Sequence, residues 1–182
     1  MIESTRQDLS QKTPLSTLEL HFVPLDFVMH WHRCGLAADH FAAHLAYTFD
    51  NRAAARDVLA TVVNELLENA VKFSSDKSLS ASLTVKHYGE WLAIQTKNRT
   101  DARRAESLNT LVRDFETHSA DALFFTRIES PSGGESSPSG LGLLVLQKDY
   151  GVRLTIECAP AADGSVEVFV EALIHTDELE NQ

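Results

Sequence analysis

Three polar side chains, Glu65, Asn69 and Lys72, have the types and spacing of a magnesium–phosphate site. Steps of four and three residues place them on one stripe of a helix, beside its apolar face. An amide oxygen is a hard ligand for Mg²⁺, an ammonium group screens phosphate charge, and a carboxylate can take a proton from a hydroxyl nucleophile. The alternative is a solvated helix face with two pairs at four-residue spacing. Those pairs would be Glu65–Asn69 and Glu68–Lys72.

A glycine-containing segment, Ser139-Gly140-Leu141-Gly142, lies directly before a short apolar helix predicted over 141–150. Glycine lets backbone N–H groups approach an oxyanion, and the N-terminus of a helix favours negative charge. We therefore expect phosphate contacts at Ser139, Gly140 and Gly142. The alternative is an ordinary loop with a flexible entry into the helix.

The hydrophobic pattern predicts the elements that hold these groups. Half-buried strands are expected over 18–22, 80–88, 91–97, 152–158 and 166–172, and helices over 24–33, 37–49, 52–73, 104–126 and 141–150. We expect Asp50 to cap the third helix and Gly35 to end the first. Antiparallel strands with one apolar face need helices on that face, which indicates an α+β two-layer sandwich.

Composition narrows the class of protein. The chain has 182 residues and a net charge of -10, which argues against nucleic acid as the main partner. No apolar run is long enough to span a membrane, and the polar start lacks a signal core, so we expect a cytoplasmic protein. Two isolated cysteines, Cys34 and Cys158, are expected as reduced thiols.

The polar stripe and the glycine segment together resemble two motifs of the GHKL (histidine-kinase-like) ATPase superfamily. The sequence has Glu65, Asn69-Ala70, Lys72 and Phe73 in the register of the family's N-box, and Gly140-Leu141-Gly142-Leu143 is similar to its second glycine box. The resemblance covers roughly residues 18–173 and implies a Bergerat-type fold with a mixed, mostly antiparallel sheet and helices on one face. It implies ATP and Mg²⁺ as cofactors.

The resemblance also implies roles for single residues. Asn69 would bind Mg²⁺, Lys72 would approach the phosphates, and Glu65 would be the general base. The family's first glycine box, D-x-G-x-G, is changed here, because Asn98 occupies the position of the Asp and no glycine follows. Asn98 can still accept a hydrogen bond from the base through its carbonyl oxygen.

Composition predicts the two tails of the chain, and the resemblance implies the domain between them. We expect a flexible tail over 1–16, one ATP-binding domain over 17–175 with a lid at about 99–139, and an acidic tail over 176–182. His40 and His44 are not followed by the phosphoacceptor pattern of sensor histidine kinases.

A small stand-alone domain with a Glu at the base position is similar to the anti-sigma and partner-switching Ser/Thr kinases of bacteria. The resemblance implies phosphorylation of a small regulatory protein, such as one of the STAS type, or action on a response regulator. The oligomeric state is left open, and a homodimer is one alternative. The alternative is a degenerate, non-catalytic module that regulates a partner by docking, which the altered first glycine box favours.

Overall fold

Five strands form one sheet in the computed structural model, which describes residues 2–129 and 140–180. They are β1 Ser16–Phe22, β2 Ala81–His87, β3 Trp91–Thr100, β4 Arg153–Pro160 and β5 Val166–His175. Their order across the sheet is β1-β2-β3-β5-β4, and these four pairings are all antiparallel. The predicted α+β class with a mostly antiparallel sheet is confirmed.

Eight helices accompany the sheet within the described ranges. They are α1 Ile2–Ser10, α2 Pro24–Met29, α3 His32–Ala46, α4 Arg52–Phe73, α5 Ala102–Thr117, α6 Ala120–Glu129, α7 Leu141–Tyr150 and α8 Thr176–Glu180. Helices α4, α5 and α7 contact strands of the sheet, and α3 packs beside α4. We call the sheet face covered by these helices the inner face and the opposite face the outer face.

Helix α4 is the centre of the core and has the limits that the sequence predicts. Its N-cap is Asn51, whose side chain accepts a hydrogen bond from the backbone N–H of Ala54 at 3.3 Å, so the prediction of Asp50 as the cap is wrong by one residue. Its apolar face packs on inner-face side chains of β2 and β3, such as Leu83 and Ile94. Burial of this face, rather than helix propensity alone, fixes the position of α4.

Helix α1 corrects the expectation of a tail over 1–16. It lies on the outer face, where Leu9 is buried against Ala93 and Leu173. The Nε atom of Arg6 lies 3.0 Å from a carboxylate oxygen of Glu171, a residue of β5 that is buried on that face. The apolar contacts of Leu9 and the ion pairs of Arg6 with Glu157 and Glu171 thus anchor a segment whose polar sequence predicts no structure.

Three further boundaries differ from the prediction. Gly35 lies inside α3, because it keeps a negative φ. The helix expected over 104–126 is divided into α5 and α6, since His118 is extended and the Ser119 hydroxyl accepts a hydrogen bond from the Ala122 N–H, at the start of α6. The acidic tail expected over 176–182 contains α8, which the fully buried Leu179 holds in the core.

Candidate active site

The last turns of α4 position the polar stripe beside the core. Glu65 and Asn69 are half-buried, whereas Lys72 is exposed. Among the residues that the structure describes, none forms a hydrogen bond with the side chain of Glu65 or Asn69. The predicted pair Glu65–Asn69 is therefore not formed, and the oxygens of both side chains remain available to another group.

Lys72 has a different environment from the one expected of a free phosphate ligand. Its Nζ atom donates a hydrogen bond to Glu68 at 2.8 Å and lies 5.5 Å from the centre of the Trp31 ring. Glu68 also accepts a hydrogen bond from Asn64 at 3.0 Å. The solvated pair that the sequence offers as an alternative is thus present at Lys72. The contact of Trp31 with Lys72 could not be predicted from the sequence, because an exposed aromatic residue does not take part in the periodic pattern of buried residues.

The two motifs meet at Glu65 and Gly142. A Cβ atom placed on Gly142 would lie 1.9 Å from Oε2 of Glu65 and 2.5 Å from its carboxyl carbon. A side chain at this position would displace the Glu65 carboxylate, so Gly142 and the carboxylate are in direct contact. The first turn of α7 and the polar stripe of α4 therefore lie against each other.

The environment of Glu65 raises the pKa of its carboxyl group. Burial is the main cause, since it disfavours the charged form, and the nearby carboxylate of Glu68 adds to the effect. The ammonium group of Lys72 opposes both. A half-buried carboxylate with a raised pKa is the usual property of a general base.

The first turn of α7 has the geometry of an anion site. Gly140 is its N-cap, adopts the left-handed conformation with a φ of 55°, and has no side chain that could cap the helix. The first backbone N–H groups of a helix have no partner within the helix, and negative charge is favourable at that end. Ser139 lies outside the described residues, so its predicted phosphate contact stays a prediction.

Asn98 lies on the inner face of β3 and is 4% exposed. Its Nδ2 atom has no hydrogen-bond partner within the described parts of the chain. Two residues further on, the Thr100 hydroxyl donates a hydrogen bond to the carbonyl of Phe73 at 2.7 Å, which places this end of β3 under the C-terminus of α4. An unpaired buried amide is costly, and such groups often occur at binding sites.

The segment expected as a lid begins with regular structure. β3 continues to Thr100, and the side chain of Asp101 caps α5 by accepting a hydrogen bond from the Arg104 N–H at 2.9 Å. Arg99 points to the outer face, where it contacts Asp163 at 3.3 Å. The described part of the predicted lid, up to residue 129, is therefore mainly α5 and α6, and residues 130–139 lie outside the described ranges.

Comparisons with known proteins find a chain of similar structure but no family with a similar sequence. No family model matches the chain, and no curated protein matches it. A chain in the crystal structure of the SiaB–SiaC complex from Pseudomonas aeruginosa superposes with a TM-score of 0.61 over 96% of this chain and 98% of that chain, at 15% identity. A likeness at this identity shows a shared fold.

Among the described residues, the structure contains no helix of the length and apolarity that crossing a membrane requires.

Proposed function

We propose that this protein is an ATP- and Mg²⁺-dependent Ser/Thr protein kinase of the GHKL type that acts in the cytoplasm in a partner-switching or anti-sigma signalling module. The contact between Glu65 and Gly142 carries the proposal. It brings the candidate base and the candidate phosphate-binding turn into one place, as in-line transfer of a phosphoryl group requires.

The residues at this place fit an ATP–magnesium group at its phosphate end. The first turn of α7 has no side-chain cap and lies against a carboxylate, which indicates that it suits an anion. Asn69 offers an amide oxygen that no described residue uses. Near the C-terminus of α4, the unpaired Nδ2 atom of Asn98 on β3 could donate a hydrogen bond to an acceptor of a purine base.

Each residue then has a defined task. Asn69 would hold Mg²⁺, and the amides of Gly140 and Gly142, with Ser139, would bind the phosphates. Bound ATP would supply the phosphoryl group that is transferred. Glu65 would take the proton of the attacking Ser or Thr hydroxyl, and its raised pKa makes it a better acceptor than an ordinary carboxylate. Lys72 would have to leave Glu68 to contact a phosphate.

The proposed partner is a small regulatory protein, of the STAS type or similar, or a response regulator. The similar chain of known structure was crystallised in a complex of two proteins, SiaB and SiaC, which supports a function through a partner protein. The likeness extends over nearly the whole of both chains.

A second candidate is a non-catalytic binding module, and one observation favours it. β3 remains paired with β5 through Asn98 as far as Thr100, where the related enzymes have a glycine box, and α5 follows after one residue. The base-binding end of the site therefore has regular backbone where close approach to a nucleotide would need glycine.

Calorimetric titration with ATP and MgCl₂ tests nucleotide binding, which the kinase proposal requires. We expect Asn69→Ala to weaken binding at least tenfold, because it removes the proposed Mg²⁺ ligand. Asn64→Ala is the matched control: Asn64 is on the same helix but hydrogen-bonds Glu68. If the wild-type protein does not bind ATP·Mg²⁺, or if both variants bind equally well, the proposed site is wrong.

Phosphotransfer separates the two candidates. The protein would be incubated with γ-labelled ATP and small regulatory proteins encoded next to its gene. We expect label on a Ser or Thr of one of them, at least a hundredfold slower with Glu65→Gln and unchanged with Asp57→Asn, an exposed acid two turns earlier on α4. Tight ATP binding and partner binding without any transfer would favour the non-catalytic module.

A further inference from the structure

The histidines of the chain, 8 in all, fall into two groups. Those of the first group have a polar partner among the described residues, which is a carboxylate, a carbonyl or a hydroxyl; they are His21, His30, His87, His118 and His175. The second group, His32, His40 and His44, forms no hydrogen bond and no ion pair within the described ranges. An imidazole without such a partner keeps a ring nitrogen available to another ligand.

His40 and His44 lie one turn apart on the exposed face of α3. The opposite face of the helix, which includes Phe41 and Leu45, is buried in the core and packs beside α4. Burial therefore fixes which side of α3 faces outward. At a spacing of four residues the Cβ atoms are about 5–6 Å apart on one side of the helix. A rigid element thus presents two exposed imidazoles that can reach the same ion.

The chemistry of the pair selects a class of metal ion. Imidazole is the commonest protein ligand of transition metals, and two histidines four residues apart on one helix are a known arrangement of zinc ligands. Mg²⁺ and Ca²⁺ prefer oxygen ligands instead. The pair therefore suits Zn²⁺, Ni²⁺ or Cu²⁺, and not the Mg²⁺ that we propose at Asn69.

The surroundings of the pair leave room for a cation and favour its charge. A cavity of about 690 Å³ lies at the two imidazoles and is also lined by Tyr47 and Thr48. His44 is in the last turn of α3, where the helix dipole favours positive charge. No group of three or more His, Cys, Asp or Glu side chains in the described parts of the chain could share a metal ion. The two imidazoles would thus be the protein ligands, and water would complete the coordination.

We propose that His40 and His44 form a surface site for one divalent transition-metal ion of the group Zn²⁺, Ni²⁺ and Cu²⁺. The observation that carries the proposal is the position of two imidazoles without polar partners on successive turns of a helix whose other face is buried. A bound ion connects these two turns, so it stabilises the folded state, in which the spacing exists. The site lies on a different helix from the polar stripe and does not depend on the kinase proposal.

Calorimetric titration with ZnCl₂, NiCl₂ and CuCl₂ tests the site. The protein must carry no histidine tag and no nucleotide, and a Cys158→Ser background removes the half-buried thiol. We expect one ion per chain, with Cu²⁺ bound most tightly, and no binding of MgCl₂ at the pair. His40→Ala and His44→Ala should each weaken the binding at least tenfold, because one of the two metal–nitrogen bonds is lost.

His32→Ala is the matched control. His32 is also exposed, also lacks a polar partner and lies on the same helix, but it is about two turns away from His40. The control should therefore bind all three ions as the wild type does. All of these positions are exposed, so without metal the variants should unfold close to the wild-type temperature.

Two further measurements show whether both imidazoles hold the ion. The electron paramagnetic resonance spectrum of the Cu²⁺ complex should contain couplings from two imidazole nitrogens in the wild type and from fewer in either single variant. NiCl₂ should raise the midpoint of thermal unfolding of the wild type and of His32→Ala, and much less that of His40→Ala or His44→Ala.

Each outcome decides the proposal. Binding that both single variants lose and that the control keeps supports it. A protein that binds none of the three ions overturns it, as does a His40→Ala or His44→Ala variant with wild-type affinity, or a loss of binding in His32→Ala. ATP·Mg²⁺ binding and phosphotransfer can be intact or absent in either case, so the two proposals fail separately.

Discussion

The apolar face and the polar stripe of α4 lie side by side but are held in place by different forces. Side chains of the apolar face, such as Leu59, Leu66 and Leu67, are completely buried in one core with the inner face of the sheet. In the polar stripe, Glu65 is half-buried without a described hydrogen-bond donor, and its pKa is raised. The first face stabilises the fold, whereas burial of the Glu65 carboxylate in the second face is unfavourable when the group is charged.

The same contrast occurs at the end of β3. Thr100 and Asn98 both face inward, but Thr100 has a hydrogen bond to Phe73 and Asn98 has an unpaired Nδ2 atom. The two residues are neighbours on one face of one strand. The unpaired amide of Asn98 therefore lies near the C-terminus of α4, whereas the other buried atom without a hydrogen-bond partner among the described residues, Oε1 of Glu171, lies on the outer face beside Arg6.

Leu67→Ala should give the largest loss of stability, about 2–5 kcal/mol, because it leaves a cavity in the centre of the core. Urea denaturation measures the change. The same substitution at Leu15, which is 74% exposed, should stay within about 0.5 kcal/mol. Similar losses at the two positions would remove the distinction between the core face and the rest of the molecule.

Gly142→Ala should destabilise the protein by about 1–2 kcal/mol, because the new methyl group overlaps the Glu65 carboxylate. The flexible carboxylate can move aside, which limits the loss. In a Glu65→Ala background the sign should reverse, with a gain of up to about 1 kcal/mol from helix propensity. Urea denaturation of the four proteins gives the coupling energy. An equal effect in both backgrounds would mean that the two motifs do not touch.

Asn98→Val should stabilise the protein by about 1 kcal/mol, because it removes an unpaired buried amide and adds a residue that favours strands. Thr100→Val is the matched comparison and should destabilise by a similar amount, since the carbonyl of Phe73 loses its donor. The midpoint of thermal unfolding should rise in Asn98→Val and fall in Thr100→Val. A loss of stability in Asn98→Val would indicate that the amide has a structural partner, against its proposed use in binding a base.

Glu65→Gln should have the smallest effect on stability and a characteristic pH dependence. The raised pKa means that the folded state binds the proton more tightly than the unfolded state does, so the wild type loses stability as pH rises above roughly 4.3, through the raised pKa. Gln is neutral and lacks this loss, so the variant should be more stable at pH 8 by less than about 1 kcal/mol, since water screens the half-exposed carboxylate.

Urea midpoints measured from pH 4 to pH 8 check this expectation. Near pH 4 the two proteins should be close in stability, because the wild-type carboxyl is then mostly protonated. A wild type that gains stability over the variant as pH rises would show that a donor binds the carboxylate, and the polar stripe would then stabilise the fold in the same way as the core does.

Much of the fold can be predicted from local pattern. The limits of α4 and the two hairpins follow from hydrophobic periodicity, because each of these elements buries one regular face. The errors are at α1, at α8, at Gly35, at the N-cap of α4 and at the division of the segment 104–126 into α5 and α6. α1 depends on contacts of Leu9 and Arg6 with distant strands, and no local pattern contains that information.

The residue types of the candidate site can be predicted from the sequence, but the contacts between these residues cannot. The sequence gives Glu65, Asn69 and Gly142, yet only the folded chain brings the carboxylate against the glycine. Lys72 shows the limit most clearly, since its spacing fits both a phosphate ligand and a partner of Glu68, and the structure has the second. Such alternatives differ by small energies, which spacing cannot resolve.

The position of α1 has a consequence for how the chain acquires its structure during synthesis. α1 leaves the ribosome before any strand, yet Arg6 contacts Glu157 and Glu171, which belong to the hairpin made last. Leu9 likewise needs Leu173 of the same hairpin. Helix α1 therefore has only part of its docking surface, at Ala93, until almost all of the domain has been translated, so it attaches fully as one of the final steps of folding.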